Sequence, residues 1–312
     1  MIDEQFRLEV LNWIASDPDP VTSALLSKWL TENNEIELRK SFNGFLEFGT
    51  AGLRGPVRPG PSGMNRAVVG RTAAGIAAFL ISHGLSKVII GRDARHGSLE
   101  FAQESAEIFS GAGLEVHVLP RELPTPVLAF AVNNLKMDCG IMVTASHNPA
   151  IDNGYKVYLG GAIDGIVYRG SQIIAPVDSD ISKRISDVKT PSPRGKNWEI
   201  VGEEVIEKYA KETFAKDAMA GLQEELNGVG RPEEITAYLN MYQNSSLNDE
   251  EKTDLEYQAA KGIYLGEKYD KAIEPLKNFI AHFPADERVS EVTYLIADDI
   301  PWKDSSKLLY QL

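Results

Sequence analysis

Gly140-Ile141-Met142-Val143-Thr144-Ala145-Ser146-His147-Asn148-Pro149-Ala150-Ile151-Asp152-Asn153-Gly154-Tyr155-Lys156 decides how this chain is read. An apolar strand, Gly140 to Val143, runs directly into a polar turn. A serine at the carboxyl end of such a strand presents its hydroxyl at the sheet edge where α/β proteins place ligands. His147 adds a titratable donor beside Ser146, and Asn148-Pro149 fixes the backbone. Lys156 returns ten residues after Ser146 on a further strand, where its ammonium could balance phosphate charge. Residue types alone leave a second reading open, since Asn-Pro also serves simply to mark a turn.

Outward from this segment, strands alternate with helices. The patterning predicts strands at 87–90, 114–119, 139–143 and 155–159, with helices at 65–83, 98–110, 125–135 and 178–188. That alternation indicates βαβ units and a mixed or parallel sheet sandwiched by helices. Ser98 is expected to cap its helix. Two helices, 4–15 and 21–40, precede the sheet, separated by the breaker Asp17-Pro18-Asp19-Pro20. The segment 190–197, with two prolines and a glycine, reads as a linker.

Beyond Trp198 the pattern is helical only, at 203–218, 233–242, 250–265 and 269–282. Ala259, Ala260, Ile263, Tyr269, Ala272, Leu276, Phe279 and Pro284 resemble a tetratricopeptide helix-turn-helix, and 292–297 could open another unit. Pro275, expected near the first turn of its helix or at a kink, departs from that pattern. Charge marks the same division: residues 221–312 hold 18 acidic and 9 basic side chains, a balance of −9, whereas residues 1–220 balance at −4. The expected organisation is an α/β domain over 1–220 and an acidic all-α tail over 221–312.

Several classes are excluded by composition. The chain has 312 residues and a net charge of −13, which argues against nucleic acid or an anionic membrane as partner. No apolar run approaches a bilayer span, and the acidic Met1-Ile2-Asp3-Glu4 resembles no secretory leader. The single cysteine, Cys139, sits in an apolar strand and reads as a buried spectator. A cytoplasmic location is the expectation by elimination. Gly228-Val229-Gly230 lacks a preceding strand and a third glycine, so a nucleotide-binding motif is not supported.

Thr144 to Pro149 resembles the active-site loop of the α-D-phosphohexomutases, the phosphoglucomutase and phosphomannomutase superfamily. Asn153-Gly154-Tyr155-Lys156 resembles the continuation of that loop. Phe48-Gly49-Thr50-Ala51-Gly52-Leu53-Arg54-Gly55 is similar to the family's N-terminal signature, and Gly91-Arg92-Asp93-Ala94-Arg95 to a further early motif. The resemblance runs from about residue 5 to 215, and the extended N-terminal helices look like the phosphopentomutase-like branch.

The resemblance implies domain I of a mutase that moves a phosphoryl group on a hexose or pentose phosphate through a phosphoserine at Ser146. It implies Mg²⁺, with Ser146 among its ligands, and a glucose 1,6-bisphosphate-type activator. Arg54 and Lys156 would hold phosphate, His147 would handle a proton, contact phosphate or stabilise the loop, and Thr50 and Asn148 would shape the substrate- and phosphate-binding loops. Arg92, Asp93, Arg95 and His96 fit internal pairing better than substrate contact. The family's Asp-Gly-Asp-Gly-Asp-Arg metal loop, sugar-binding loop and distal phosphate loop have no counterpart in these 312 residues. Asp178-Ser179-Asp180 and Asp298-Asp299 do not replace the metal loop. The expectation is therefore a fused or truncated mutase chain with little turnover alone. The rival expectation is a non-catalytic protein whose helical tail binds a protein partner.

Overall fold

A computed structural model describes residues 2–50, 52–146, 148–189, 192–209 and 248–298, with scattered positions between 219 and 238. The chain divides into two compact units, Met1–Ile206 and Glu207–Leu312. The first opens with helices α1 (Glu4–Ser16), α2 (Pro20–Thr31) and α3 (Glu35–Ser41), each begun by an Asp or Asn side chain that accepts a backbone N–H of its first turn. Apolar residues Phe6, Val10, Leu26, Leu30 and Leu38 from all three form a small core of their own. The single helix expected over 21–40 is two: Asn33 takes a left-handed φ of 52°, and Asn34 caps α3.

The sheet follows. Its strands are β1 (Leu53–Pro56), β2 (Lys87–Arg92), β3 (Glu115–Glu122), β4 (Cys139–Val143), β5 (Asp152–Leu159), β8 (Ser171–Gln172) and β9 (Glu199–Ile200), in the order β1-β5-β4-β2-β3-β9 with β8 also on β5. A separate ribbon pairs β6 (Ala162–Ile163) with β7 (Ile166–Val167). Strands β2, β3, β4 and β9 run parallel, and β5 runs antiparallel to both β4 and β1.

Helices cover both faces. α4 (Arg66–Ser82), α5 (Ser98–Gly111) and α7 (Val177–Asp187) join Val88, Ile90, Ile141, Val143, Tyr155 and Val157 in the main core. α6 (Thr125–Asn134) takes the opposite face, burying Val127, Leu128, Ala131 and Val132. A period of two explains this sorting: along β2, Val88 and Ile90 face one layer, and Ile89 and Gly91 the other. Ser98 is not the cap of α5. Gly97 holds that position at φ 81°, which frees the Ser98 hydroxyl to donate to Asp93 Oδ1 at 2.6 Å.

α8 (Glu203–Tyr209) follows β9. The remainder of the expected helix to residue 218 and most of the one at 233–242 lie outside the described residues. In the second unit α9 (Asp249–Leu265), α10 (Tyr269–His282) and α11 (Val289–Asp298) pack around Tyr257, Ala260, Ile263, Ala272, Leu276, Phe279, Val292 and Ile296. Asn248 and Glu251 begin α9 with a reciprocal capping box. Pro275 is the seventh residue of α10, past the first turn, and the helix continues through it, which leaves the kink of the two expected placements.

Candidate functional site

The carboxyl ends of β2, β3 and β4 share one edge of the sheet, because the three strands are parallel. From that edge emerge the loop 93–97 and the loop 144–151, and there β5 begins. Ser146 stands on the second loop, half-buried, with a left-handed φ of 59°. That conformation costs a non-glycine residue about 1–2 kcal/mol, so the surroundings must impose it. Among the described residues, nothing bonds its Oγ.

What holds the loop is a fork of donors from the neighbouring one. Arg95 Nη2 donates to the carbonyls of Ser146 at 2.6 Å and Asn148 at 2.9 Å, and Nη1 to those of Pro149 at 2.9 Å and Asp152 at 3.1 Å. Only the planar guanidinium presents that many donors in fixed directions. Arg95 is itself set by Asp93, whose Oδ2 lies 3.4 Å from Nε, and both side chains are buried. Burial pushes the Asp93 carboxyl up from its ordinary value, opposed by hydrogen bonds from Ser98, Thr144 and the Arg95 backbone N–H. The Thr144 hydroxyl in turn accepts the Ser146 N–H at 3.0 Å. Asn153 completes the scaffold, donating to His96 O and Ser98 Oγ, both at 2.9 Å.

The pleat brings two cations to one face of this edge. Arg54 lies opposite Gly154 in the β1–β5 register, and Lys156, two residues on from Gly154, points to the same side. Gly154 is the crossing point: a Cβ there would stand 3.0 Å from Arg54 Cγ and 2.5 Å from Thr144 O. The Arg54 stem therefore passes over Gly154 beside the strand that leads to Ser146. Lys156 is buried, as is Met142 across from it. Further along this face, burial pushes the Tyr158 phenol up to about 12, and the charge of Arg54 opposes the shift.

Two other predicted residues are engaged within the loops. Asn148 Nδ2 donates to Asp152 Oδ2 at 2.9 Å, and its backbone N–H to Ala145 O at 3.2 Å. The Thr50 hydroxyl donates to Asp178 Oδ2 at 2.6 Å and holds that carboxyl below its ordinary value. Thr50 is thereby tied to the start of α7 rather than to the serine loop. Arg92 pairs with Glu122 across β2 and β3. His96 contributes its carbonyl to Asn153 and leaves its ring exposed. His147 lies outside the described residues. Among the described residues no three His, Cys, Asp or Glu side chains converge as metal ligands. The motif Gly-Arg-Asp-Ala-Arg suggested internal pairing, and Arg92–Glu122 and Arg95–Asp93 are such pairs; the further four-carbonyl role of Arg95, across 51 to 57 positions, was not visible in the sequence.

A hydroxyl on a clamped loop at the carboxyl edge of parallel strands places this domain among the α/β folds whose loops at that edge are the usual position of a ligand site. The family model for phosphoglucomutase/phosphomannomutase, alpha/beta/alpha domain I, matches residues 46–188. Residues 46–188 are thus domain I of the phosphohexomutase superfamily. A probable phosphomannomutase of Haemophilus influenzae is 44% identical over 156 residues, covering 48% of this chain and 31% of that protein. The phosphopentomutase of Homo sapiens is 37% identical over 202 residues, covering 62% of this chain and 32% of its own length. A solved structure, a putative phosphomannomutase from Thermus thermophilus, is 25% identical with a TM-score of 0.46, covering 59% of this chain and 44% of that one. The chain spans about a third of the length of the curated relatives it matches.

Proposed function

We propose that this chain supplies the phosphoserine half of a phosphosugar mutase, with Ser146 as the residue that takes and returns the phosphoryl group. The observation that carries the reading is the Ser146 loop itself, clamped by Arg95 in a strained conformation at the strand edge. In the step proposed, Ser146 Oγ attacks phosphorus and forms an O–P bond as the bond from phosphorus to the donor sugar's oxygen breaks. The hydroxyl proton passes to that sugar oxygen or first to a neighbouring base, for which His147 is the candidate. The reverse step delivers the phosphoryl to a different hydroxyl of the sugar.

Phosphoryl transfer of this kind depends on positioning and on stabilising spread negative charge. Arg95 positions the nucleophile, and Arg54, through its planar fork, and Lys156 are the groups that would meet the phosphate oxygens. Among the described residues no three His, Cys, Asp or Glu side chains converge to hold Mg²⁺ beside Ser146. The substrate class is a hexose or pentose phosphate, supported by relatives named for mannose, pentose and glucose phosphates. Phosphoserine formation is the partial reaction expected of these residues.

The test is uptake from glucose 1,6-bisphosphate followed by intact mass. The wild-type chain should gain one phosphoryl, Ser146→Ala none, and Arg54→Met should gain it at least tenfold more slowly. Equal uptake by all three would defeat the proposal.

A further inference from the structure

Away from the strand edge, a cavity of about 470 Å³ opens between α1, α4, α5 and the chain leaving α7. None of its lining residues belongs to the serine loop. Two aromatic rings form one wall, with the Trp13 and Phe45 centroids 6.3 Å apart. Phe45 is 58% exposed, unusual for a large apolar ring with a packed neighbour. Arg71 also lies over Phe45, its guanidinium carbon 4.5 Å from the ring centroid.

The charges around this cavity do not balance locally. Glu104 is buried, but Arg194 and Arg66 both pair with it, the latter at 2.9 Å, so its charge is matched twice. Arg194 is shared further with Glu107 at 2.5 Å. Arg71 is different. It donates Nε to Ile185 O at 3.0 Å and Nη2 to Ser186 O at 3.2 Å, both neutral carbonyls, and among the described residues no carboxylate meets it. Its partial burial pulls its pKa below the ordinary arginine value. Lys189, exposed at the rim, likewise meets no acid among the described residues. Arg71 and Lys189 thus leave positive charge uncompensated beside the aromatic wall.

A half-buried guanidinium without a counter-ion is costly unless an anion completes it. A π-face on each of Phe45 and Arg71 favours a flat ring. The volume falls in the range of small-molecule sites. We propose that this cavity is a second, non-catalytic binding site for an organic anion of mononucleotide size, its anionic group on Arg71 and Lys189 and its flat ring against Phe45 and Trp13. The inference does not rest on the reading of Ser146.

The experiment is calorimetric titration of the full chain with adenosine 5′-monophosphate, with adenosine and inorganic phosphate as partial probes. The nucleotide should bind saturably, and each partial probe at least tenfold more weakly. Arg71→Met should weaken the nucleotide about tenfold or more, and Phe45→Ala several-fold. Because Arg71→Met also removes two bonds to the end of α7, Lys189→Ala serves as a variant that touches no packing, and it should weaken binding as well. Ser146→Ala should leave the affinity unchanged. The proposal is overturned if the nucleotide does not saturate, if phosphate alone binds equally well, if Phe45→Ala and Lys189→Ala both bind as wild type does, or if Ser146→Ala abolishes binding.

Discussion

Replacing Arg95 with methionine tests how the nucleophile is held. The substitution keeps an unbranched stem of similar reach and removes the fork that meets four carbonyls between Ser146 and Asp152. It also leaves Asp93 buried and without its cation. Hydrogen bonds to a charged group contribute about 1.5–3 kcal/mol each, but the four share one side chain and do not add. Breaking a buried pair by removing one partner costs about 3–5 kcal/mol, and that figure sets the scale for the α/β unit. The penalty has a pH signature. Burial already pushes the Asp93 carboxyl up. Without Arg95 the folded protein holds that proton more tightly than the unfolded chain does, so the variant's stability should fall as pH rises. In urea unfolding followed by circular dichroism, the deficit should therefore shrink between pH 7 and pH 5. Asp93→Asn in the same chain should recover at least about 1 kcal/mol of it by the coupling of neighbouring sites. Phosphoryl uptake should drop even where the fold persists, because Ser146 loses the constraint on its left-handed backbone. A deficit below about 1 kcal/mol, together with wild-type uptake, would refute the clamp.

Gly52→Ala should destabilise the α/β unit by about 3 kcal/mol or more, since a Cβ at φ 80° would stand 1.9 Å from Tyr155 O; a urea midpoint unchanged from wild type contradicts this. Burial pushes the Cys139 thiol up, so a disulfide reagent should label it only in denaturant, and rapid labelling of the native chain would count against its burial. In the helical unit, Arg288 holds the half-buried Asp286 carboxyl at about 2, against an ordinary value of 3.8. A depressed carboxyl stabilises the fold above its unfolded value and loses that contribution as pH falls toward 2, so melting of the full chain between pH 5 and pH 2 should flatten in Asp286→Asn.

The parts of this fold that were legible in the sequence are those where pattern and burial coincide. Cys139–Val143 is apolar throughout because both faces of β4 are covered, and the period of α5 and α6 is explicit. β1 was hidden because Leu-Arg-Gly-Pro has little strand propensity; main-chain pairing with β5 makes it a strand. β9 is two residues long and has no periodicity to read. The break in the helix over 21–40 lies in a polar Asn-Asn pair whose capping depends on local geometry. At the site, the placement of Ser146 followed from the strand before it. The contacts of Arg95 depend on the parallel pairing of β2 with β4, which sets two loops side by side though they are some fifty residues apart. Thr50 looked like part of a phosphate loop; its partner, Asp178, is 128 positions away.

The most direct measurement is to digest the chain after exposure to glucose 1,6-bisphosphate and locate any phosphoryl group by peptide mass spectrometry. Phosphate on the peptide carrying Ser146, and on no other, is what this account predicts. An unmodified Ser146, or modification at some other hydroxyl, would contradict it.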